Sequence, residues 1–352
     1  MKAVRLYGPK ELRCDECADP GLPAGDEVLI RVRAVGICGS DLHLYESGRI
    51  GDIAGTEPLV PGHEFMGEVM AAGAGARDGF GRTLEPGMRV AVDPHVPCRR
   101  CEWCENGHPN LCPHHRFFGL PGLDGALRER MVVPARNCFP LPDTISDGGG
   151  ALLEPLGVAV HALDLGKGKF GRSAVVVGCG PVGLLIVRLA RLAGLSPIAA
   201  VDPNGVRAQK AKAWGATHVF CARAEDERKA IAAVAGDRGF DLVFEAAWVG
   251  RAADACAEFA CPGGRIVLVG VPPDDGFSLT HSLARRKGLT LLFSRRMKHV
   301  YARTIALASG PSPRVGLDEL ISHRFRLEET ARAFALNLRY GDGIIKAVVE
   351  LP

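Results

Sequence analysis

The stretch that most constrains the fold of this chain is residues 174–202. Ala174–Val177 is a short apolar run, and Gly178-Cys179-Gly180-Pro181-Val182-Gly183 follows it at once. An apolar helical stretch spans Val182–Ala193, and a second strand-like run, Ile198–Val201, ends at Asp202. Strand, G-x-G-x-x-G turn, helix, strand and acid in this order specify a parallel βαβ unit that binds a dinucleotide. Gly178 allows the tight turn, Gly180 lets the backbone approach a pyrophosphate, and Gly183 lets the helix pack on the strand. The helix N-terminus then offers free N–H groups to the phosphates. A plain glycine-rich βα turn would need neither the third glycine nor an acid about twenty residues on.

Asp202 is placed to bond both adenosine ribose hydroxyls. Neither Pro203 nor Asn204 is cationic, so a 2′-phosphate would meet a negative charge without an adjacent partner. The cofactor expected is therefore NAD rather than NADP, and Arg207, on the following helix, is the one residue that tempers this. The strand–helix alternation continues through Val206–Trp214, Val219–Cys221, Glu227–Val234, Leu242–Phe244, Ala252–Ala260 and Arg265–Val269. A further strand is expected at Leu289–Phe293, and the rhythm predicts a doubly wound parallel sheet.

Before Leu153 the pattern is different. Glu27–Val35, Gly67–Ala71, Arg89–Val92 and Arg130–Val133 are short strand-like runs broken by Gly and Pro, which suggests a small β-barrel-like domain with long loops. One of those loops carries Cys98, Cys101, Cys104 and Cys112, spaced C-x2-C-x2-C-x7-C. The residues between them are polar and turn-rich and supply no core. Four thiolates this close form the ligand set of a closed tetrahedral site, most often zinc. Disulfides or free thiols are the alternatives, and stable disulfides are rare in reducing compartments.

With 352 residues the chain is long enough for two cored domains. A net charge of +3 with interspersed signs gives no basis for a nucleic-acid or membrane partner. Met1–Leu6 reads as a strand rather than a signal peptide, and twelve cysteines without an export signal suggest a cytoplasmic protein. No apolar run, Leu184–Val187 included, approaches the length of a membrane span.

Three more segments concentrate metal-type ligands: the glycine-bracketed loop Val35–His43 with Cys38, Pro61-Gly62-His63-Glu64-Phe65 before a strand, and Leu153-Glu154-Pro155-Leu156 at the boundary between the two regions. Taken singly, each has a bland reading: a core thiol, a structural histidine, the start of a helix. Spacing alone does not show that they converge.

Taken together, and in this order with the cysteine loop and the Gly178–Gly183 fingerprint, these segments resemble the zinc-containing medium-chain dehydrogenase/reductase family over essentially the whole chain. Within it, Cys38-Gly39-Ser40-Asp41-Leu42-His43 followed by Glu46 and Gly48-Arg49-Ile50, and Glu154 in place of a cysteine, look most like the polyol (sorbitol-type) dehydrogenases. The resemblance implies an α/β fold: a GroES-like β-barrel catalytic domain over 1–154 and 292–352, and a Rossmann cofactor domain over 155–291. The structural zinc lobe would lie at about 95–115. It implies two zinc ions per chain. Cys98, Cys101, Cys104 and Cys112 hold the structural one. Cys38, His63 and Glu64 hold the catalytic one, with Glu154 a fourth ligand or a partner to the zinc-bound water. The zinc lowers the pKa of a bound hydroxyl from about 16 towards about 7, so that hydride can pass to NAD. Ser40 takes the alcohol proton and passes it through the cofactor ribose towards His43 at the surface. The cofactor set implied is Gly178, Gly180, Pro181, Val182, Gly183, Asp202, Arg207, Val269, Val271 and Arg295.

The substrate end is thinner. Polyol members carry an aromatic two positions before Glu46; here Leu44 stands there, with Tyr45 beside it. After the last Rossmann strand the run is Phe293-Ser294-Arg295-Arg296-Met297-Lys298-His299, with Arg296 where the family tends to have a tyrosine. Such cations suit a carboxylate or phosphate, or else the cofactor's phosphates or solvent. Tyr45, Phe117, Phe118 and Arg296 are the expected substrate residues. The reaction expected is oxidation of a secondary hydroxyl of a polyol, cyclitol or sugar acid. L-threonine oxidation or a general alcohol dehydrogenase is the enzymatic alternative. A non-catalytic member is the distant one, since such members tend to lose zinc ligands and this chain loses none. A homodimer or homotetramer pairing through the apolar edge at Leu289–Phe293 is expected.

Overall fold

The computed structural model describes residues 1–55, 58–221, 225–247, 252–272 and 276–352. The chain divides into two compact units, Met1–Glu154 with Tyr301–Pro352, and Pro155–Val300. The expected return to the first domain at 292 falls inside the strand Thr290–Phe293, which pairs in parallel with Ala260–Leu268 and so belongs to the second unit. Among the described residues no helix is long and apolar enough to cross a membrane.

The first unit is built on a seven-stranded sheet whose centre is Glu27–Gly36. This strand is almost wholly buried, and three others use it as a template. Glu64–Ala72 pairs antiparallel along its length, Arg130–Pro134 with its first half and Lys346–Glu350 with its last residues. Arg89–Val92 and Cys138–Pro140 extend the sheet beyond Glu64–Ala72, while Ile321–Arg326 lies parallel to Lys346–Glu350 on the other side. The valine-rich tail is thus a strand of the first unit.

Gly36 ends the central strand opposite Glu64 on one side and Val348 on the other. A Cβ at Gly36 would overlap the Glu64 carboxylate and press on Lys346, so the missing side chain makes room for an ion pair. Lys346 Nζ donates to Glu64 Oε1 at 2.7 Å and to the Ile37 carbonyl at 2.8 Å. Both side chains are 2 % exposed or less. Burial lowers the Lys346 ammonium, but Glu64 more than offsets this and holds it above its ordinary value.

The second unit holds a six-stranded parallel sheet in the order His218–Phe220, Ile198–Val201, Ala174–Val177, Phe240–Glu245, Ala260–Leu268, Thr290–Phe293. The inner strands are buried on both faces and therefore read as unbroken apolar runs rather than alternating ones. Pro181 stands at the first turn of the helix Pro181–Leu192, where its missing N–H costs nothing. Asn204 caps the next helix, Gly205–Ala213, by accepting the Val206 and Arg207 N–H groups.

Glu245 ends its strand as a buried acid. Its carboxylate accepts the Ala247 N–H at 2.8 Å, and its backbone carbonyl accepts those of Val269 and Gly270. Burial pushes the carboxyl up to about 7, against the opposing pull of the Ala247 and Gly270 amides.

Two stability predictions follow from these buried acids. Lys346→Met leaves the Glu64 charge buried without its cation and lowers unfolding free energy by about 3–5 kcal/mol in urea denaturation; a change under about 1 kcal/mol would show the pair to be dispensable. Glu245 has a folded-state pKa above its unfolded one, so its contribution is full below pH 4.5 and is lost as pH rises through about 7. On the order of 3 kcal/mol of difference between pH 4 and pH 8 is therefore expected to vanish in Glu245→Gln, measured by denaturant unfolding at both pH values.

Candidate metal and cofactor sites

The first unit brings Cys38, His63 and Glu64 together: one donor atom from each lies within 4.8 Å of the others. The segment expected as a glycine-bracketed loop is instead the start of a helix, Gly39–Ser47, with Cys38 as its N-cap. Five consecutive residues of that helix, Asp41–Tyr45, are buried, so no amphipathic period marks it in the sequence.

Asp41, on the helix's first turn, organises the cluster. Its Oδ2 accepts the Cys38 N–H at 2.9 Å, and its Oδ1 accepts the Gly62 N–H and faces His63 Nδ1, both at 3.3 Å. One buried carboxylate therefore holds the cysteine's backbone, the turn before the histidine and the imidazole itself. Burial raises the Asp41 carboxyl, but His63 and the two backbone amides outweigh that and keep it below its ordinary value. Burial lowers His63 in turn, yet Asp41 and Cys38 hold the imidazole well above its ordinary range. With Nδ1 facing Asp41, Nε2 is the ring atom turned to a metal. Ser40 Oγ lies 3.4 Å from that nitrogen. One thiolate, one imidazole and one carboxylate fit zinc, and three protein donors leave a position open.

Glu154, on the first turn of the helix Leu153–Gly166, is buried but is not within the 4.8 Å set. Burial pushes its carboxyl up to about 8; His63 opposes this, while Glu64 and Asp93 add to it. Tyr301 is a further buried neighbour that sequence reasoning missed. Its O–H donates to the Val92 carbonyl at 3.0 Å, and its ring stacks on Phe139 at 4.4 Å.

Several expected positions differ. His43, placed at the surface by the resemblance, is only 6 % exposed. Tyr45 is buried and meets Phe334 edge-on at 5.4 Å. Phe117 does reach the cluster, its ring 5.4 Å from that of His63, while Phe118 turns the other way onto Phe65. Nothing local in sequence marks Asp41 or Lys346. Asp41 does occupy the third position of a capping box, a spacing that could have drawn attention to it.

The cysteine loop gathers as expected. The sulfurs of Cys98, Cys101, Cys104 and Cys112 all lie within 4.8 Å of one another, and none of the twelve cysteines is in a disulfide. Cys101 and Cys112 Sγ are 3.8 Å apart, close to the edge of a tetrahedron with zinc–sulfur bonds of about 2.3 Å. The Arg100 amide, with help from Cys112 and Cys101, lowers Cys98 to about 6, whereas burial and Cys101 push Cys104 up to about 12. Only Asn110 and Cys112 are buried between Cys98 and Cys112, so the lobe has no core of its own.

In the second unit the fingerprint takes the shape its glycines allow. Gly178 has φ +94°, and a Cβ there would come 2.6 Å from the Ala246 backbone. Gly183 packs against the Gly178 carbonyl with no room for a side chain. Gly180 is open, with the Arg207 guanidinium 4.0 Å from where its Cβ would be. Pro181 and Val182 open the helix over this turn. Asp202 accepts the Cys179 N–H at 2.7 Å and the Asn204 N–H at 2.8 Å. At the same end of the sheet, Val269 and Val271 line a cavity of about 330 Å3 together with Glu245, Leu268 and Phe293. Arg295 and Arg296 follow the last strand there; Arg295 is exposed, and Arg296 has φ +57°.

Comparison with known proteins agrees with this geometry. The family described as alcohol dehydrogenase GroES-like domain matches residues 24–143, and that described as zinc-binding dehydrogenase matches 181–310. Sorbitol dehydrogenase of Bacillus subtilis (strain 168) is 35% identical over 99% of this chain and 97% of its own. An Escherichia coli oxidoreductase/dehydrogenase of unknown specificity superposes with a TM-score of 0.91 at 30% identity, covering 100% of this chain and 99% of that one. A zinc-binding dehydrogenase of Sinorhizobium meliloti 1021, solved bound to NADP, gives 0.86 at 32% over 99% and 98%. With both domain families matched in order and a relative aligned end to end, this chain belongs to the zinc-binding medium-chain dehydrogenase/reductase family of oxidoreductases.

Proposed function

We propose that this chain oxidises a secondary hydroxyl of a polyol, cyclitol or sugar acid to a ketone, reversibly, with zinc and NAD as cofactors. The observation that carries the reading is the Cys38, His63 and Glu64 donor set within 4.8 Å, with the Asp41 carboxylate 3.3 Å behind the imidazole Nδ1. When bound there, zinc supplies a Lewis acid for the substrate hydroxyl, and NAD supplies the hydride acceptor. The chain's own residues do the rest.

Asp41 fixes the tautomer and direction of His63. Lys346 balances the charge of Glu64. Glu154, a buried carboxyl that burial, Glu64 and Asp93 raise to about 8, would be a fourth zinc ligand or a partner to the zinc-bound water. Ser40 Oγ, beside Nε2, is placed to accept the proton that a substrate hydroxyl loses. Phe117 walls the cluster and excludes water. The four cysteines, with no open position, take the structural zinc.

A polyol substrate is supported by end-to-end similarity to a sorbitol dehydrogenase. NAD is supported by Asp202, a buried acid where a 2′-phosphate would sit. One observation favours NADP as a second reading: the Arg207 guanidinium beside Gly180, in a chain similar to a dehydrogenase solved bound to NADP.

A panel of sugar alcohols, cyclitols, aldonates and L-threonine, followed by reduced-cofactor absorbance with each dinucleotide, tests substrate and cofactor together. Polyol turnover is expected, with kcat/KM at least about tenfold higher for NAD than for NADP, the worth of one or two hydrogen bonds to a charged acid. L-threonine as the best substrate would refute the polyol assignment. Metal analysis tests the division of labour. Two zinc per chain are expected; Cys38→Ser keeps one and loses turnover, while Cys101→Ser loses the other and melts at a lower temperature. A Cys101→Ser enzyme with full stability and no turnover would exchange the two roles.

A further inference from the structure

The two ligand clusters of the first unit are physically joined. His95–Val96 and Arg116–Phe117 pair as a two-stranded ribbon with His95 opposite Phe117. The four cysteines close its far end, since Cys98 follows Val96 by two residues and Cys112 precedes Arg116 by four. The near end is fastened to the sheet. Asn137 donates to the Asp93 and His95 carbonyls at 2.7 and 2.8 Å, and the Phe118 N–H donates to the Pro94 carbonyl at 3.1 Å. From the ribbon, rings run in both directions. Phe117 lies 5.4 Å from His63 on one side and 6.4 Å from His95 on the other. His95 lies 5.2 Å from His115, whose Nδ1 is 2.7 Å from the Cys112 carbonyl.

We propose that Phe117 is a positioning residue for His63 and that the four-cysteine lobe, through His115 and His95, sets where Phe117 sits. The inference rests on reading Cys38, His63 and Glu64 as a metal site. The Asp41 contact holds the imidazole at its Nδ1 edge. The buried Phe117 ring, inclined at 55° to the imidazole, packs beside it and limits where the rest of the ring can move. A two-stranded ribbon is marginal alone, and this one is held at its outer end by a lobe with almost no buried residues. Whatever binds the four thiolates therefore fixes the strand that carries Phe117, and close-packed rings pass on a displacement rather than absorb it.

Three variants test this: Phe117→Leu, His115→Ala and His115→Asn, the last retaining an N–H for the Cys112 carbonyl. The first readout needs no metal. Ring resonances of His63, assigned by their loss in His63→Gln, are expected to move in Phe117→Leu and in His115→Ala, and to return only part of the way in His115→Asn, which restores the hydrogen bond to Cys112 but not the ring contact with His95. The second readout is zinc transfer to a chelating dye from the two-zinc enzyme. The phase that is missing in Cys38→Ser is expected to speed up about tenfold in Phe117→Leu and His115→Ala, the usual scale for losing an outer-shell support. If His115→Ala leaves the His63 resonances unmoved and speeds only the other zinc phase, the coupling is overturned while the metal assignment stands. If the resonances respond but no zinc phase depends on Cys38, the coupling stands and the metal assignment falls.

Discussion

The buried pair of Glu64 and Lys346 is the contact on which the first unit closes. It joins residues 282 apart in sequence and sits where three strands meet, at the end of the central strand beside Gly36. An ammonium this deep is tolerated because a carboxylate and a carbonyl accept its hydrogen bonds. The pair thereby dictates that the last strand come back to the first unit, whatever lies between. It also sets the electrostatics of the cluster. Glu64 has its charge balanced by Lys346, so if it holds a metal as proposed it would do so as a carboxylate already paired with a cation.

Asp41 plays the complementary part for the other two donors. As the third residue of a capping box it satisfies the N-terminus of its own helix, and from the same carboxylate it reaches the Gly62 amide and His63. Helix capping and ligand orientation are thus one interaction. The arrangement explains why a cysteine can stand at an N-cap, a position that ordinarily favours Ser, Thr, Asp or Asn. Asp41 accepts the Cys38 N–H from inside the helix as one half of that reciprocal box.

What could be read from the sequence divides along sequence distance. The Gly178–Gly183 turn, Asp202 and the four cysteines declare themselves because each is a local pattern with a local physical cause: a turn, a strand end, a loop too polar to fold unaided. Nearly every strand of the second unit was also legible, as unbroken apolar runs of the right length. The helix at Gly39–Ser47 was not, because it is buried nearly all round and bracketed by glycines, the usual mark of a loop. Lys346 was hidden for a different reason. A lysine in a valine-rich tail reads as an edge residue, and only the fold supplies the carboxylate that lets it be buried. The Val300/Tyr301 boundary was displaced for a similar reason, since the strand before it is claimed by hydrogen bonds to Ala260–Leu268 that no composition shift announces.

On the cofactor side, one acid carries two duties that cannot be separated. Asp202 accepts the amide of Cys179, inside the fingerprint, and that of Asn204, the cap of the following helix. It holds the turn that approaches the pyrophosphate and the helix that carries Arg207 before any ribose is present. A carboxylate oxygen has more than one lone pair, so these bonds leave acceptor capacity for a ribose hydroxyl. The same charge that would repel a 2′-phosphate is therefore part of the scaffold that shapes the phosphate turn. Replacing it with a small neutral residue removes the repulsion and loosens both amides at once. If Asp202 sets the dinucleotide preference as proposed, that preference would be a property of the whole strand–turn–helix corner and not of a single removable charge.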